Sequence, residues 1–349
     1  GVFEARTQCR QVERHPAMVV GPGGAVECGA LRWTAVSDQP DNAETNTHRG
    51  LVREQVAVDA LVGLLDLEAI EVNVFRGRSP AASGVRVFGG QVAGQALVAA
   101  ARTIDHQDAA ATGSVGGAEP ARHVHSLHAY FLRPGDPAIP ILYEVDRIRD
   151  GRSFTTRRVV AIQHGQPIFN LAASFHVEEP GLEFGEPMPD VPGPETLPTF
   201  KERLAPYRDL LGSFYTQPKS VDLRYVTIAP ESRGHSAEPD QIVWFRAAGD
   251  LPDDPVLHTC VIAYASDMTL LDTTLVAHGQ SSFSGGLQMA SLDHAMWFHR
   301  SVRADEWLLY VQHSPWSGSG RGFARGTIFS ADGRIVASVA QEGLIRPRV

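Results

Sequence analysis

The sequence predicts an α+β fold of two tandem modules, each an antiparallel sheet curled around one central helix. An internal repeat is the first observation behind this. Ser126-Leu127-His128-Ala129-Tyr130-Phe131, Leu142-Tyr143, Gly165-Gln166-Pro167-Ile168 and Leu171-Ala172 have counterparts later in the chain. In the same order these are Ser291-Leu292-Asp293-His294-Ala295-Met296-Trp297-Phe298, Leu309-Tyr310, Gly333-Arg334-Ile335-Val336 and Val339-Ala340. The offset drifts only from 165, between Ser126 and Ser291, to 168, between Gly165 and Gly333. Such a period is a whole domain, far too long for a solenoid. The second observation is that each half runs strand, apolar helix, then four strands. The third is length: 349 residues accommodate two domains of roughly 150 residues.

Residues 1–55 read as an N-terminal extension of mixed charge, with Gly-Pro-Gly-Gly at 21–24 and no sustained period, and are expected to lack folded structure. The first module occupies 56–177. Val58, Leu61, Val62 and Leu65 sit at helical spacing in a short helix over 56–68, followed by a strand over 71–75. From Phe88 to Ala101 every face is apolar or small, so that helix should be buried and closely approached. Strands follow over 123–132, 139–148, 154–163 and 167–177, with Asp150-Gly151 and His164-Gly165 as turns.

Residues 178–215 form the linker; its Pro, Glu and Gly content up to 199 favours an exposed connection, and a helix is expected over 201–214. The second module, 216–349, restarts with strands over 221–226 and 241–247. It continues with an apolar helix over 255–275, then strands over 289–300, 306–313, 322–330 and 334–345, with Asp332-Gly333 as the clearest hairpin turn.

A net charge of −9 argues against a phosphate-tracking surface, so no nucleic-acid partner is expected. Cys9, Cys28 and Cys260 are scattered without metal or disulfide spacing, which fits a reducing cytoplasm. No run of 18 apolar residues and no leader-like start appear, so a soluble chain with no membrane partner is expected. Nucleophile-elbow, Walker A and HExxH motifs are absent, and Gly318-Ser319-Gly320-Arg321-Gly322 lacks dinucleotide spacing. His125, His128, His294 and His299 read as structural hydrogen-bonding residues on strands, and Arg321 and Arg325 as cations for a phosphate or for solvent.

Three polar residues stand where polarity is costly. Asp267 lies among Ala263, Tyr264, Leu270 and Leu271 in the apolar helix, and burying its carboxylate requires donors. Period-2 parity puts Gln341 on the inner face with Ile335, Ala337 and Val339, and Ser291 opens the strand after the helix. On these grounds alone the three are either satisfied structural residues or a site that holds a water or a carbonyl oxygen.

Several blocks resemble the acyl-CoA thioesterase II (TesB-like) family. They are Val87-Phe88-Gly89-Gly90-Gln91-Val92-Ala93-Gly94-Gln95-Ala96-Leu97, His125 to Asp136, Tyr264-Ala265-Ser266-Asp267, Leu292 to His299, and Val339-Ala340-Gln341-Glu342-Gly343. The resemblance spans 56–346 and implies a double-hotdog fold, an acyl-CoA substrate hydrolysed to fatty acid and CoA, and no metal or other cofactor. It makes Asp267, Ser291 and Gln341 the catalytic trio, with Asp267 as base toward a water or as nucleophile. Some similar enzymes carry Thr where this chain has Ser291, a change that keeps the hydrogen bond and loosens the rotamer. Pairing of fused hotdogs leads to a homodimer or homotetramer as the expected assembly. Two alternatives are a hotdog enoyl-CoA hydratase or dehydratase, against which no Asp-Asn-Pro-His run appears, and an acyl-CoA binding protein without hydrolysis.

Overall fold

The computed structural model describes residues 43–80, 85–104, 121–235, 238–282 and 286–348; the expectation for 1–42 lies outside them. Helix α1, Ala43–Leu65, begins well before the expected boundary at 56. Gln55 shows why the helix is held there. Its amide donates to Asp250 O at 3.0 Å and its Oε1 accepts from Asp250 N at 2.8 Å, which pins α1 to the second half. The expected strand over 71–75 is a hairpin, β1 (Glu68–Glu71) and β2 (Val74–Gly77), turned by Val72-Asn73 with Asn73 at φ 61°. Asn tolerates this left-handed conformation better than most residues.

Helix α2, Gly89–Ala101, matches its expected span, and every residue in it except Gly89 is buried. Strands β3 (Arg122–Phe131), β4 (Ile141–Asp150), β5 (Phe154–Gln163) and β6 (Gln166–Val177) complete the first half. His164 and Gly165 both take positive φ, 51° and 67°, and close the β5–β6 hairpin as a two-residue turn.

The linker is exposed over most of 178–199, as its composition suggests, and is anchored at a few half-buried points. Met188, Val191 and Leu197 pack on Trp244, Leu309 and Phe329, and Trp244 Nε1 donates to Pro192 O at 2.9 Å. The alternation that sends Val243 and Phe245 inward leaves Trp244 on the outer face, and the linker covers it. The single helix expected over 201–214 is broken into α3 (Phe200–Leu204), α4 (Arg208–Leu211) and α5 (Ser213–Thr216). Pro206 and Gly212, the latter at φ 51°, interrupt it.

The second half holds β7 (Val221–Tyr225), β8 (Asp240–Ala247) and α6 (Pro255–Ser266). Asp254 caps α6 by accepting from the amides of Val256 and Leu257. The helix expected to reach Leu275 stops at Ser266, and a 3₁₀ segment, Leu271–His278, follows. By length and composition Pro255–His278 would also suit a membrane span, yet 72% of that window is buried inside the fold, as in a core helix. The strand expected over 289–300 divides at Leu292 into β9 (Leu287–Ser291) and β10 (Asp293–Phe298), because among the described residues β9 pairs with β13 alone while β10 lies between β3 and β13. Strands β11 (Leu308–Gly318), β12 (Arg321–Ser330) and β13 (Ile335–Pro347) finish the chain.

The strands run β1-β2-β4-β5-β6-β3-β10-β13-β12-β11-β8-β7 in one sheet, with β9 attached to β13. The β3–β10 pair, from Asp293 opposite Tyr130 to Trp297 opposite Ser126, joins the halves. Inside the curl α2 lies directly against α6. A Cβ on Gly94 would stand 3.3 Å from Cys260 O and 3.1 Å from Leu65 Cδ2, and one on Gly90 would overlap Tyr264 O. Two glycines one turn apart thus let the two helix backbones touch.

Gly90→Ala should therefore lower the thermal midpoint, with a stability loss of about 1–3 kcal/mol from forced separation of the helices. Gly63→Ala, in the exposed interior of α1 with nothing within 4 Å of the added carbon, should raise it, by about 0.5–1 kcal/mol. Calorimetry of both variants checks the pair; equal effects would show that α2 and α6 do not depend on this close approach.

Candidate active site

Asp267 is the C-cap of α6, with φ −80° and ψ −8°, so its side chain leaves the helix where the backbone does. That position brings three elements to it. Gln341, on β13 opposite Ala324, donates from Nε2 to Asp267 Oδ1 at 2.6 Å. Ser291, the last residue of β9 and opposite Gly343, donates from Oγ to the same oxygen at 3.1 Å. The amide of Gly90, in the first turn of α2, is the third donor.

The three residues singled out in the sequence therefore meet at one carboxylate. What sequence reasoning missed is the contribution of the first half. A Cβ on Gly89 would lie 2.6 Å from Asp267 Oδ2 and 2.8 Å from Phe131 Cε1, so the carboxylate rests where only glycine leaves room. The signal was present as Phe88-Gly89-Gly90-Gln91, a helix start with no side-chain cap of its own. An uncapped helix N-terminus leaves amides and the positive end of the dipole for an outside anion.

Burial and hydrogen bonding oppose each other at Asp267. Desolvation is the larger effect and pushes its pKa from 3.8 up to about 6; the bonds from Gln341, Ser291 and Gly90 hold it from rising further. Near neutral pH the group is an anion with raised basicity, a fit state for taking a proton. Ser291 hydrogen-bonds Asp267 and, among the described residues, no histidine, so its hydroxyl lacks the base that a nucleophilic serine needs.

The histidines are placed as hydrogen-bonding residues in three of four cases. His125 pairs with Ser174 at 2.8 Å, His299 with Ser338 at 2.9 Å and His294 with Ser266 at 2.8 Å, whereas His128 meets Trp297 edge-on at 5.3 Å. Arg321 forms an ion pair with Glu342 at 3.0 Å. Among the described residues no group of three or more His, Cys, Asp or Glu side chains is arranged to hold a metal.

A raised folded-state pKa means the folded protein holds the proton more tightly than the unfolded chain. The contribution of this group to stability is then fully present below pH 3.8 and is lost as pH rises through about 6. The shift corresponds to about 3 kcal/mol. Asp267→Asn should therefore be more stable than the wild type at pH 8 by up to about 3 kcal/mol, and the gain should vanish near pH 4. Unfolding of both proteins across this range measures it; a pH-independent difference would mean that the carboxylate carries no such strain.

Comparison with known proteins agrees with this architecture. A family model described as acyl-CoA thioesterase matches residues 214–344, and one described as acyl-CoA thioesterase N-terminal domain matches 78–176. The chain is 41% identical over 298 residues to human acyl-coenzyme A thioesterase 8, covering 81% of this chain and 88% of that protein. It is 36% identical to acyl-CoA thioesterase 2 of Haemophilus influenzae, covering 82% and 96%. Among solved structures, the acyl-CoA thioesterase II TesB2 of Mycobacterium marinum superposes with a TM-score of 0.65 at 44% identity, over 82% of this chain and 98% of that one. Two tandem thioesterase domains in one continuous sheet make this a double hotdog, and the chain belongs to the TesB-like acyl-CoA thioesterase II family.

Proposed function

We propose that the protein hydrolyses acyl-CoA thioesters to free acid and CoA by direct attack of water, with Asp267 as general base. The observation that supports this most is the convergence of one half-buried carboxylate, one amide and one hydroxyl, with both side-chain bonds falling on Oδ1. In this reading the second carboxylate oxygen receives a proton from water. Such a water would donate one hydrogen to Asp267 and the other to Ser291 Oγ, and would accept from the second N–H of Gln341. Its remaining lone pair is then free to attack the thioester carbonyl.

Attack forms the C–O bond, moves the carbonyl π electrons onto oxygen and transfers the water proton to Asp267. Collapse expels the CoA thiolate, whose low basicity means little proton assistance is required, and Asp267 returns its proton to solvent or to the thiolate. The developing oxyanion would suit amides at the start of α2, the helix whose Gly90 amide meets the carboxylate, since they need no reorganisation during the reaction. The relatives named above carry the acyl-CoA thioesterase name, and 36–41% identity over about four fifths of the chain extends that substrate class here.

The same reading takes the chain as a cytoplasmic homodimer or homotetramer. The buried, free thiol of Cys260 accords with a reducing compartment. Hydratase chemistry would leave the thioester intact, so release of free thiol separates the two reactions.

Asp267→Asn should lower thiol release by about a hundredfold or more while preserving the shape of the site. In the wild type, kcat/KM should rise with pH to a plateau through a single ionisation near 6, since only the anion accepts the proton. That limb should disappear from the residual activity of the Asn variant. Thiol release measured from pH 4.5 to 9 over an acyl-CoA chain-length series tests both statements. Unchanged turnover in Asp267→Asn would end the mechanism.

A further inference from the structure

His294 lies one strand away from Gln341 and is as deeply buried, with both at 0% exposure. The β10–β13 register sets Ala295 opposite Ala340 and Met296 opposite Val339, and continuing it by one residue sets position 294 opposite position 341. Directly opposed residues of an antiparallel pair share a face, with Cβ atoms about 4.5–5.5 Å apart. Met296 and Val339, next along the same face, are core residues, which fixes the face as the inner one.

Each of these two side chains carries one buried polar atom without a hydrogen-bond partner among the described residues: Nδ1 of His294 and Oε1 of Gln341. The orientation of Gln341 is dictated by the Asp267 anion, which requires the NH2 end and leaves the oxygen for something else. The other ring nitrogen of His294 is already engaged. Nε2 bonds Ser266 Oγ, which also lies 2.9 Å from Ala263 O, and Ser266 immediately precedes Asp267. One imidazole thus touches the helix end that carries the carboxylate and faces the amide that bonds it.

We propose that His294 is a positioning residue for the hydrolytic site, holding the Gln341 carboxamide in its working orientation through a single buried water between Nδ1 and Oε1. This rests on the three-residue reading of the site given above. Either tautomer suffices. If Ser266 gives its proton to Ala263 O, Nε2 carries the ring hydrogen, and the water donates to both Nδ1 and Oε1. If Ser266 gives it to Nε2, Nδ1–H donates to the water, which donates in turn to Oε1. Burial keeps the ring neutral by lowering its pKa to about 4, so it does not add a competing cation beside Asp267. A buried polar pair that lacks this bridge would bear an uncompensated desolvation cost.

The two ring nitrogens can be separated by substitution. His294→Gln keeps a polar group near the Nε2 position and loses the one facing Gln341, whereas His294→Asn keeps a polar group near Nδ1. Thiol release on the best acyl-CoA of the chain-length series should show kcat lowered about tenfold in His294→Gln with KM little changed, and recovery to within about threefold of wild type in His294→Asn. In a Gln341→Ala background, His294→Gln should change kcat by less than about twofold, because the group it orients is gone. An equal loss in both backgrounds, or full activity of His294→Gln alone, would overturn the proposal. Wild-type kcat in Gln341→Ala itself would instead overturn the reading of the site, and this inference with it.

Discussion

One half-buried carboxylate, lodged against the first turn of a helix from the other half of the molecule, sets the terms for the rest of the structure. Asp267 leaves α6 at the negative end of that helix, where an anion is disfavoured, and reaches the positive end of α2, where it is favoured. The contact exists only if several independent features hold. Helix α6 must stop at Ser266, Gly89 and Gly90 must lack side chains, and β9 and β13 must deliver Ser291 and Gln341 to the same oxygen. The β3–β10 joint must also keep α2 and α6 in register, since a slip of one residue on either strand would turn its inner face outward. Packing and chemistry are therefore one constraint in this fold. The helix contact that glycine permits at Gly90 is adjacent to the amide that bonds the carboxylate.

Much of this was legible in the chain because it was written as local pattern. Asp267 stood out as a charge among Ala263, Tyr264, Leu270 and Leu271, and Gln341 as an amide whose parity placed it with Val339. Both signals depend only on the burial of neighbours. Apolar continuity misled at the end of α6: Met268, Leu270 and Leu271 prolong the hydrophobic run, but the hydrogen-bonded helix ends and a 3₁₀ segment takes over. The division of β9 from β10 was equally hidden, since it arises when β9 pairs with β13 alone and β10 is enclosed by β3 as well. Partners distant in sequence carry no periodicity. Gly90 meets Asp267, and His294 stands opposite Gln341, through folding alone. The linker was legible in part: its Pro- and Glu-rich composition told of exposure, but not that Trp244 on the outer face of β8 holds Met188, Val191 and Leu197 against it.

The duplication explains why a chain with two like halves has assembled this arrangement once. Helices α2 and α6 lie antiparallel, with Gly90 against Tyr264 and Gly94 against Cys260, so the opposite end of the pair brings the end of α2 near the start of α6. The repeat offset predicts what a second site would contain there. Ser126 stands 165 residues before Ser291 and keeps the hydroxyl, but Arg102 stands 165 before Asp267 and Ala173 stands 168 before Gln341. The counterparts of Gly89 and Gly90 are Asp254 and Pro255. Asp254 occupies the first-turn amides of α6 with its own side chain, and Pro255 has no amide hydrogen to offer. Arg102, as the C-cap of α2, places a cation where the helix dipole favours one, with Leu67 O and Asp66 as its partners at the surface. Asp254 and Arg102 thus stabilise the helix ends where Gly89 and Asp267 leave theirs open or strained. Two identical modules paired as separate chains would carry the same residues at both ends, with the desolvation cost of Asp267 twice over. Fusion in one chain lets one end bear that cost while the other, capped and paired, helps to offset it.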